Sequence, residues 1–321
     1  MSVPSSPAAC PEHAVTPRTI HLLGLSGYPQ DPAVIDLALE RLTGTGHRVD
    51  NTESTQRRYL RFAGTDSERL ADLNSLADPA RALPDIALAI RGGYGATRLL
   101  DHIDYAGLAR RLSEAPIALV GHSDFTAVQM ALYAKTGLKS FGGPMLNSDF
   151  GTPELNAFTI PSFWRTLNQA VTTLTIEARQ AHAFDTSGTL WGGNLTVLAS
   201  LLGTPYMPDI DGGILYVEDV NEPLFRIERL FQQLHLAGVL SRQKALVVGQ
   251  FSGANPTGYD NGFSLETIFD YVRTHVGIPV VTGLPFGHVA EIATLPFGGQ
   301  AQLAVRDSGF TLTLSDYPVL R

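Results

Sequence analysis

The sequence predicts an α/β fold in two parts: an N-terminal parallel-sheet α/β domain and a C-terminal α/β domain with a β-rich, barrel-like part. Strand-like apolar runs alternate with helical patterns in the first half, which is typical of parallel strands covered by helices. Short runs of alternating polarity near the C-terminus indicate additional β structure. The length of 321 residues is sufficient for two domains.

The first half alternates strand and helix in chain order. Its predicted strands cover residues 20–25, 85–90 and 117–120, and its predicted helices cover residues 33–42, 67–76 and 124–134. Ligands of open parallel sheets bind at the carboxyl ends of the strands. Functional residues are therefore expected directly after these predicted strands.

The pattern weakens between residues 147 and 187, where prolines and a threonine-rich stretch at 171–176 predict a connection. Beyond it, the predicted helices cover residues 194–202 and 224–234, and the predicted strands cover residues 214–217, 245–250, 278–281, 302–305 and 310–314. These boundaries predict a loose N-terminal tail (1–18), an N-terminal domain (19–146), a connection (147–187) and a C-terminal domain (188–321).

Composition argues against several classes of protein. The net charge is −8, and no basic stripe is present to neutralise phosphates, so nucleic acid is not an expected partner. No apolar run is long enough to span a membrane. The tail lacks the basic start and apolar core of a signal peptide. Cys10 is the only cysteine, which fits a reducing cytoplasm. The sequence has no H-E-x-x-H or C-x-x-C motif, so we expect neither a metal site nor a cofactor.

Ser123 is the first candidate functional residue. It lies between an apolar run and a helical pattern, in the pentapeptide Gly121-His122-Ser123-Asp124-Phe125. A serine on such a strand-to-helix turn is exposed, and the N–H groups of the next helix point towards it, as a serine nucleophile requires. The second glycine of G-x-S-x-G is replaced by Phe125. A serine that only caps the helix is the alternative.

The glycine loop, which we define as residues 91–95, follows another predicted strand. Its sequence Arg91-Gly92-Gly93-Tyr94-Gly95 lets the backbone approach a ligand closely. It matches neither the Rossmann nor the P-loop spacing, so nucleotide binding has weak support. The loop could instead supply an oxyanion N–H beside Ser123, or it could be a tight connection without a ligand.

Six segments together resemble the L,D-carboxypeptidases, the muramoyltetrapeptide carboxypeptidases of murein recycling, whose serine peptidase family includes microcin-immunity peptidases. The segments are RGGYGATRLL from residue 91, GHSDFTA from 121, GGPM from 142, LWGGNL from 190, ILYVEDVNEP from 214 and GLPFGH from 283. The resemblance extends from about Thr19 to the C-terminus. Position by position, it implies a catalytic serine at Ser123, a glutamate at Glu218 and a histidine at His288. Val289 departs from the small or polar residue expected after the histidine.

The candidate histidines and carboxylates also have possible roles outside catalysis. His122 adjoins Ser123, but adjacent side chains project apart, so it is expected to form a wall or a hydrogen bond rather than act as the base. His288 could be an ordinary loop histidine. Glu218 ends a buried strand and must be paired. Alternatively, Glu218, Asp219 and Glu222 could serve the N-terminus of the helix that starts near Pro223.

The resemblance implies a cytoplasmic serine carboxypeptidase that acts without a metal or cofactor and releases the terminal D-Ala of a murein tetrapeptide. The N–H groups of Gly92 or Gly93 and of Asp124 are expected to bind the oxyanion. A homodimer is a further expectation from the family. Two rivals remain: a peptidase of the same family that acts on an acyl-sulfamoyl or peptidyl-nucleotide antibiotic, and a muropeptide-binding protein without catalytic activity.

Overall fold

The computed structural model describes residues 16–320. Most of the predicted tail, including Cys10, lies outside these residues. The described chain forms two β-sheets with helices packed against them, which confirms the predicted α/β class. None of its helices has the length and apolar character needed to cross a membrane.

The strands and helices have the following bounds. The strands are β1 (Thr19–Leu23), β2 (Arg48–Asp50), β3 (Ile86–Ala89), β4 (Ala118–Gly121), β5 (Ser140–Gly142), β6 (Val171–Glu177), β7 (Phe184–Asn194), β8 (Ile214–Val220), β9 (Ala245–Ser252), β10 (Val280–Thr282), β11 (Leu295–Phe297), β12 (Gln300–Arg306) and β13 (Gly309–Ser315). The helices are α1 (Pro32–Gly44), α2 (Asp66–Asn74), α3 (Tyr105–Glu114), α4 (Thr126–Thr136), α5 (Thr159–Asn168), α6 (Leu195–Ser200), α7 (Leu224–Leu236) and α8 (Leu265–His275).

The first sheet has the order β11-β5-β4-β3-β1-β2. Strands β1 to β5 pair in parallel, as the alternating pattern predicts. Every residue of β3 and β4 is buried, because helices cover both faces of the sheet. The predicted parallel sheet is nevertheless mixed, since β11, from the C-terminal part of the chain, pairs antiparallel with β5.

The second sheet has the order β10-β9-β8-β7-β12-β13-β6. Strands β7 to β10 are parallel, whereas β7, β12, β13 and β6 pair antiparallel and form the β-rich part. The sheet is open in this order, with β10 and β6 at its edges. Gln180, which lies between β6 and β7, exchanges two hydrogen bonds with the backbone of Thr282 at the end of β10. The side-chain amide of Gln180 thus links the two edges of the sheet.

The segment 147–187 is not the irregular connection that its composition suggests. It contains α5, β6 and the first residues of β7. The threonine-rich stretch is strand β6, paired with β13 over seven residues. Alternate residues of β6 face the interior, which is a strand pattern that threonine, a β-branched residue, favours. The division of the chain into domains at these boundaries stays a prediction.

The two sheets share their hydrophobic cores. One cluster joins Phe125 and Val128 of the first half to Trp191 and Leu198 of the second. The backbone of Asn194 donates a hydrogen bond to Thr126 Oγ1 at 3.1 Å, across the junction. The carboxyl ends of β4 and β8 consequently meet at this junction, where a site can draw side chains from both halves of the chain.

Candidate active site

Ser123 lies on a sharp turn between β4 and α4. Its φ of 61° is in the left-handed region, which is uncommon for a residue other than glycine. A single 3₁₀ turn, Ser123–Phe125, precedes α4, so this helix begins two residues later than predicted. The Ser123 side chain does not cap the helix; within residues 16–320 the hydrogen bond of its Oγ is with His288. The turn aims the hydroxyl away from the helix and at the histidine.

Ser123, His288 and Glu218 form a continuous chain of hydrogen bonds. His288 Nε2 lies 3.0 Å from Ser123 Oγ, and His288 Nδ1 lies 2.8 Å from Glu218 Oε2. With its proton on Nδ1, the imidazole donates to the carboxylate and accepts from the hydroxyl. In this arrangement His288 can take a proton from the serine while Glu218 stabilises the resulting positive charge. The structure therefore brings together the three residues that the resemblance implies.

The backbone around Glu218 explains how its carboxylate reaches the histidine. The β8–β9 register shifts between Val217 and Asp219, where Gly249 and Gln250 of β9 lie opposite the single residue Glu218 of β8. Such irregularities redirect side chains and often lie beside functional sites. Gly287 has a φ of 137°, and a Cβ built there would lie 3.2 Å from Glu218 Oε2. Glycine thus lets the loop that carries His288 approach the carboxylate.

The pKa of His288 is raised above its ordinary value of 6.5. Burial of the ring acts in the opposite direction and lowers the pKa, but the hydrogen bond and charge of Glu218 outweigh burial, and the charges of Asp219 and Asp149 add to the increase. Glu218 itself is fully buried. An imidazole held this way is a stronger base than a free histidine.

Asn194 joins Glu218 to Asp219. Its side-chain amide donates to Glu218 Oε1 and to Asp219 Oδ1, each at 3.1 Å, and its Oδ1 accepts from the Val197 N–H as the N-cap of α6. Asp219 also accepts from the N–H and hydroxyl of Thr196. Asp219 therefore serves the N-terminus of α6, not that of the helix beginning near Pro223, so that interpretation of Asp219 is wrong.

The glycine loop packs directly against Ser123. A Cβ built on Gly92 would lie 2.7 Å from both Cβ and Oγ of Ser123, so no larger residue fits without movement. The N–H groups of Gly93 and Asp124 make no hydrogen bond within residues 16–320. Gly92 O accepts from Gly27 N at 3.2 Å. Since C=O and N–H of a trans peptide point in opposite directions, the Gly93 N–H points away from Gly27.

The Asp124 side chain fixes the glycine loop relative to the serine turn. Its Oδ2 accepts from the Ala96 N–H at 2.8 Å and from Ser26 Oγ at 2.6 Å. Burial raises the pKa of this carboxyl, although these hydrogen bonds oppose the shift. Asp124 thus has a structural role through its side chain that differs from the one expected of its backbone N–H.

His122 is a wall residue, as expected from its position. Its Nδ1 lies 2.9 Å from Gly143 O, and its ring packs edge-on against His288 with centroids 5.4 Å apart. It does not contact the Ser123 hydroxyl through any hydrogen bond among the described residues. His288 is accordingly the base available to the serine.

A cavity of about 400 Å³ opens beside Ser123. Its wall includes the first three residues of the glycine loop, Arg91 to Gly93. The other lining residues are His122, Met145, Asn147, Ser148, Asp149, His288, Val289, Ala290 and Ile292. Two charged side chains besides His288 line it, Arg91 and Asp149. Nowhere in residues 16–320 do three or more histidine, cysteine, aspartate or glutamate side chains form a group able to hold a metal ion.

Sequence reasoning missed two residues of the site. Asn194 is recognisable only as a strong N-cap residue at the start of a predicted helix. Its contact with two carboxylates depends on the parallel pairing of β7 with β8, which the sequence does not show. The side-chain role of Asp124 likewise depends on contacts with residues distant in sequence.

This fold, together with the matching family models, places the chain among the peptidases, a class of hydrolases. The family models for the N-terminal and C-terminal domains of LD-carboxypeptidases match residues 20–143 and 187–303. The chain belongs to the LD-carboxypeptidase family.

Named relatives agree with this membership. A probable murein peptide carboxypeptidase of Bacillus subtilis is 31% identical over 280 residues, which cover 86% of this chain and 85% of the relative. The crystal structure of muramoyltetrapeptide carboxypeptidase from Oxalobacter formigenes is 42% identical, with a TM-score of 0.86, and the match covers 94% of this chain and all of that one. MccF, determined in complex with glutamyl sulfamoyl guanosine, is 25% identical, with a TM-score of 0.82 and coverage of 94% and 96%.

Proposed function

We propose that this protein is a serine-type L,D-carboxypeptidase that releases the terminal D-Ala from murein tetrapeptides, with Ser123, His288 and Glu218 as its catalytic residues. The hydrogen-bonded chain from Ser123 Oγ to Glu218 carries the proposal, because it supplies a nucleophile, a base and a stabilising charge at one cavity. The named murein carboxypeptidases support the substrate class. Peptide recycling would take place in the cytoplasm, and we expect a homodimer from the family.

The reaction follows from the positions of these atoms. Ser123 Oγ attacks the carbonyl carbon of the scissile bond while its proton passes to His288 Nε2. The tetrahedral oxyanion accepts hydrogen bonds from the N–H groups of Asp124 and of the glycine loop, and Gly93 is the better loop donor because its N–H is directed away from Gly27. The C–N bond then breaks, and His288 returns the proton to the amine of D-Ala.

A water molecule completes the cycle. It attacks the acyl ester on Ser123, and His288 accepts its proton and returns it to Oγ as the ester bond breaks. Glu218 stabilises the protonated imidazole through its hydrogen bond with Nδ1. The products are the free tripeptide carboxylate and D-Ala, and the enzyme regains its starting state.

Mass spectrometry of muropeptides tests the substrate. A tetrapeptide ends in an L,D bond and should lose one alanine, whereas a pentapeptide, which ends in D-Ala-D-Ala, should stay intact. Inverting the acyl-side centre exchanges side chain and hydrogen, so the carbonyl cannot reach its donors without a clash. A tripeptide should also stay intact. Equal trimming of pentapeptide would refute the L,D assignment.

The likeness to MccF supports a second candidate, cleavage of an acyl-sulfamoyl nucleotide. The described residues that line the cavity include no phenylalanine, tyrosine or tryptophan on which a nucleobase could stack, which favours the peptide substrate. Incubation with glutamyl sulfamoyl adenosine separates the two activities. A muropeptide-binding protein without activity would resist labelling of Ser123 by a fluorophosphonate, whereas a serine peptidase would be labelled.

A further inference from the structure

We propose that Arg91 is the residue that recognises the free carboxylate of the departing D-amino acid and so makes the enzyme a carboxypeptidase rather than an endopeptidase. The inference rests on the proposed function and assigns a specificity role to one side chain of its cavity. An enzyme that removes only the last residue must distinguish a terminal carboxylate from the neutral amide of a continuing chain. A fixed cation provides that distinction.

Arg91 is the only side chain with a permanent positive charge among the described residues that line the cavity. His288 also lines it, but a histidine that acts as a base must begin the reaction neutral. The other charged group, Asp149, has an Oδ2 that already accepts from the N–H of Met145 and from Ser148 Oγ. Asp149 would repel a carboxylate, which leaves Arg91 to bind it.

The guanidinium of Arg91 is held in place and still has free donors. Its Nη1 donates to the backbone oxygen of Tyr28 at 3.0 Å, and no carboxylate lies within 4.0 Å of it in the described part of the chain. The side chain is half-buried, so the charge is partly desolvated. A Cβ built on Gly93 would lie 3.8 Å from Nη2, so this nitrogen lies beside the glycine loop. Nη2 and Nε donate no hydrogen bond among the described residues.

Arg91 lies at the start of the loop that carries a proposed oxyanion donor. In a carboxypeptidase substrate the terminal carboxylate is one residue from the scissile carbonyl, and successive residues are only about 3.8 Å apart. The cation must therefore lie next to the oxyanion donors. Arg91 directly precedes Gly92, which touches Ser123, and Gly93, whose N–H is a proposed donor. One short loop thus supplies both the oxyanion donor and the carboxylate receptor.

Arg58 provides a matched control. It is an exposed arginine of the same region, 5.0 Å from the ring of Tyr28, and it does not line the cavity. Charge interactions with substrate at long range would be shared by Arg58 and Arg91. Direct binding of the carboxylate in the cavity would belong to Arg91 alone.

The test compares a tetrapeptide with its C-terminal D-alaninamide in wild type, Arg91→Gln, Arg91→Lys and Arg58→Gln. We expect wild type to prefer the free acid by 100-fold or more in kcat/KM. Arg91→Gln should lose roughly 10- to 100-fold on the acid, as expected for a charged hydrogen bond, and remain within threefold on the amide. Arg91→Lys should retain part of the preference, because it keeps the charge but not the two-pronged geometry. Arg58→Gln should match wild type.

Different negative results would overturn the role of Arg91 and the proposed function. Equal cleavage of acid and amide by wild type would overturn the proposal without any variant, and so would an unchanged acid preference in a folded Arg91→Gln protein that a fluorophosphonate still labels at the normal rate. If wild type cleaves neither peptide, the proposed function fails. Saturation-transfer NMR with D-alanine and D-alaninamide then decides the role of Arg91. Selective binding of D-alanine that Arg91→Gln abolishes would support it, and binding unaffected by the substitution would refute it.

Discussion

Gly92→Ala tests whether the close contact between the glycine loop and Ser123 is required for activity. The change adds one methyl group at a residue whose φ is not in the left-handed region, so the backbone itself tolerates alanine. The effect must come from the contact. The new Cβ would lie 2.7 Å from both Cβ and Oγ of Ser123, whereas ordinary van der Waals contact begins at about 3.4 Å.

The size of the effect follows from this distance. Either Ser123 or the glycine loop must move by about 0.7 Å, the difference between 3.4 and 2.7 Å. A displacement of about 1 Å in a catalytic group can cost about 100-fold in rate. We therefore expect kcat to fall by roughly 30- to 100-fold. Overpacking should lower the free energy of unfolding by about 1–3 kcal/mol.

The assay is release of D-Ala from tetrapeptide, with thermal denaturation measured in parallel. Gly44→Ala is the matched control, because nothing lies within 4 Å of a Cβ built at the end of α1. It should retain wild-type activity and equal or slightly greater stability. A Gly92→Ala protein that is as active as Gly44→Ala would refute the contact and the placement of the oxyanion donors that depends on it.

Three further predictions concern Glu218, Asp219 and Gly193, which lie in the second half of the chain. In wild type the acid limb of the kcat/KM profile should lie above pH 6.5, because Glu218 raises the pKa of His288 and only the neutral imidazole acts as base. The substitution Glu218→Gln should shift that limb to lower pH and reduce kcat by about 10³- to 10⁴-fold. Asp219→Asn should reduce kcat less than Glu218→Gln does but lower the melting temperature, because Asp219 holds α6 rather than the histidine; a larger kcat loss would mean that the carboxylate is wrongly assigned. Gly193→Ala should lower the free energy of unfolding, measured in urea, by about 1–3 kcal/mol or more. The reasons are that φ of Gly193 is 136° and that a Cβ there would lie 2.5 Å from Thr126 Oγ1. A variant as stable as wild type would contradict the close packing of the two halves of the chain.

The parts of the fold that depend on local pattern were predictable from the sequence. The buried strands β3 and β4 are continuous apolar runs, and each is followed by helical structure, so their parallel pairing was expected. The position of Ser123 at the end of β4 was expected for the same reason. The family motifs added Glu218 and His288, which the structure brings within hydrogen-bonding distance of each other.

The remaining features depend on contacts between distant residues. The composition of residues 171–176 predicts a connection, because threonine is common in loops as well as in strands. Only the pairing of β6 with β13 decides between the two. β11 joins the first sheet although it lies near the C-terminus. Asn194 contacts Glu218 only because β7 and β8 are neighbours. No local signal in the sequence specifies such pairings.

The most direct test of the account is the release of D-Ala from murein tetrapeptide by wild type and by Ser123→Ala, measured by mass spectrometry at matched protein concentrations. The substitution removes only the hydroxyl that lies 3.0 Å from His288 Nε2, so the variant should fold with a melting temperature close to that of wild type. The account predicts conversion of tetrapeptide to tripeptide by wild type and no conversion by the variant. Turnover by a folded Ser123→Ala protein at a rate near that of wild type would contradict it.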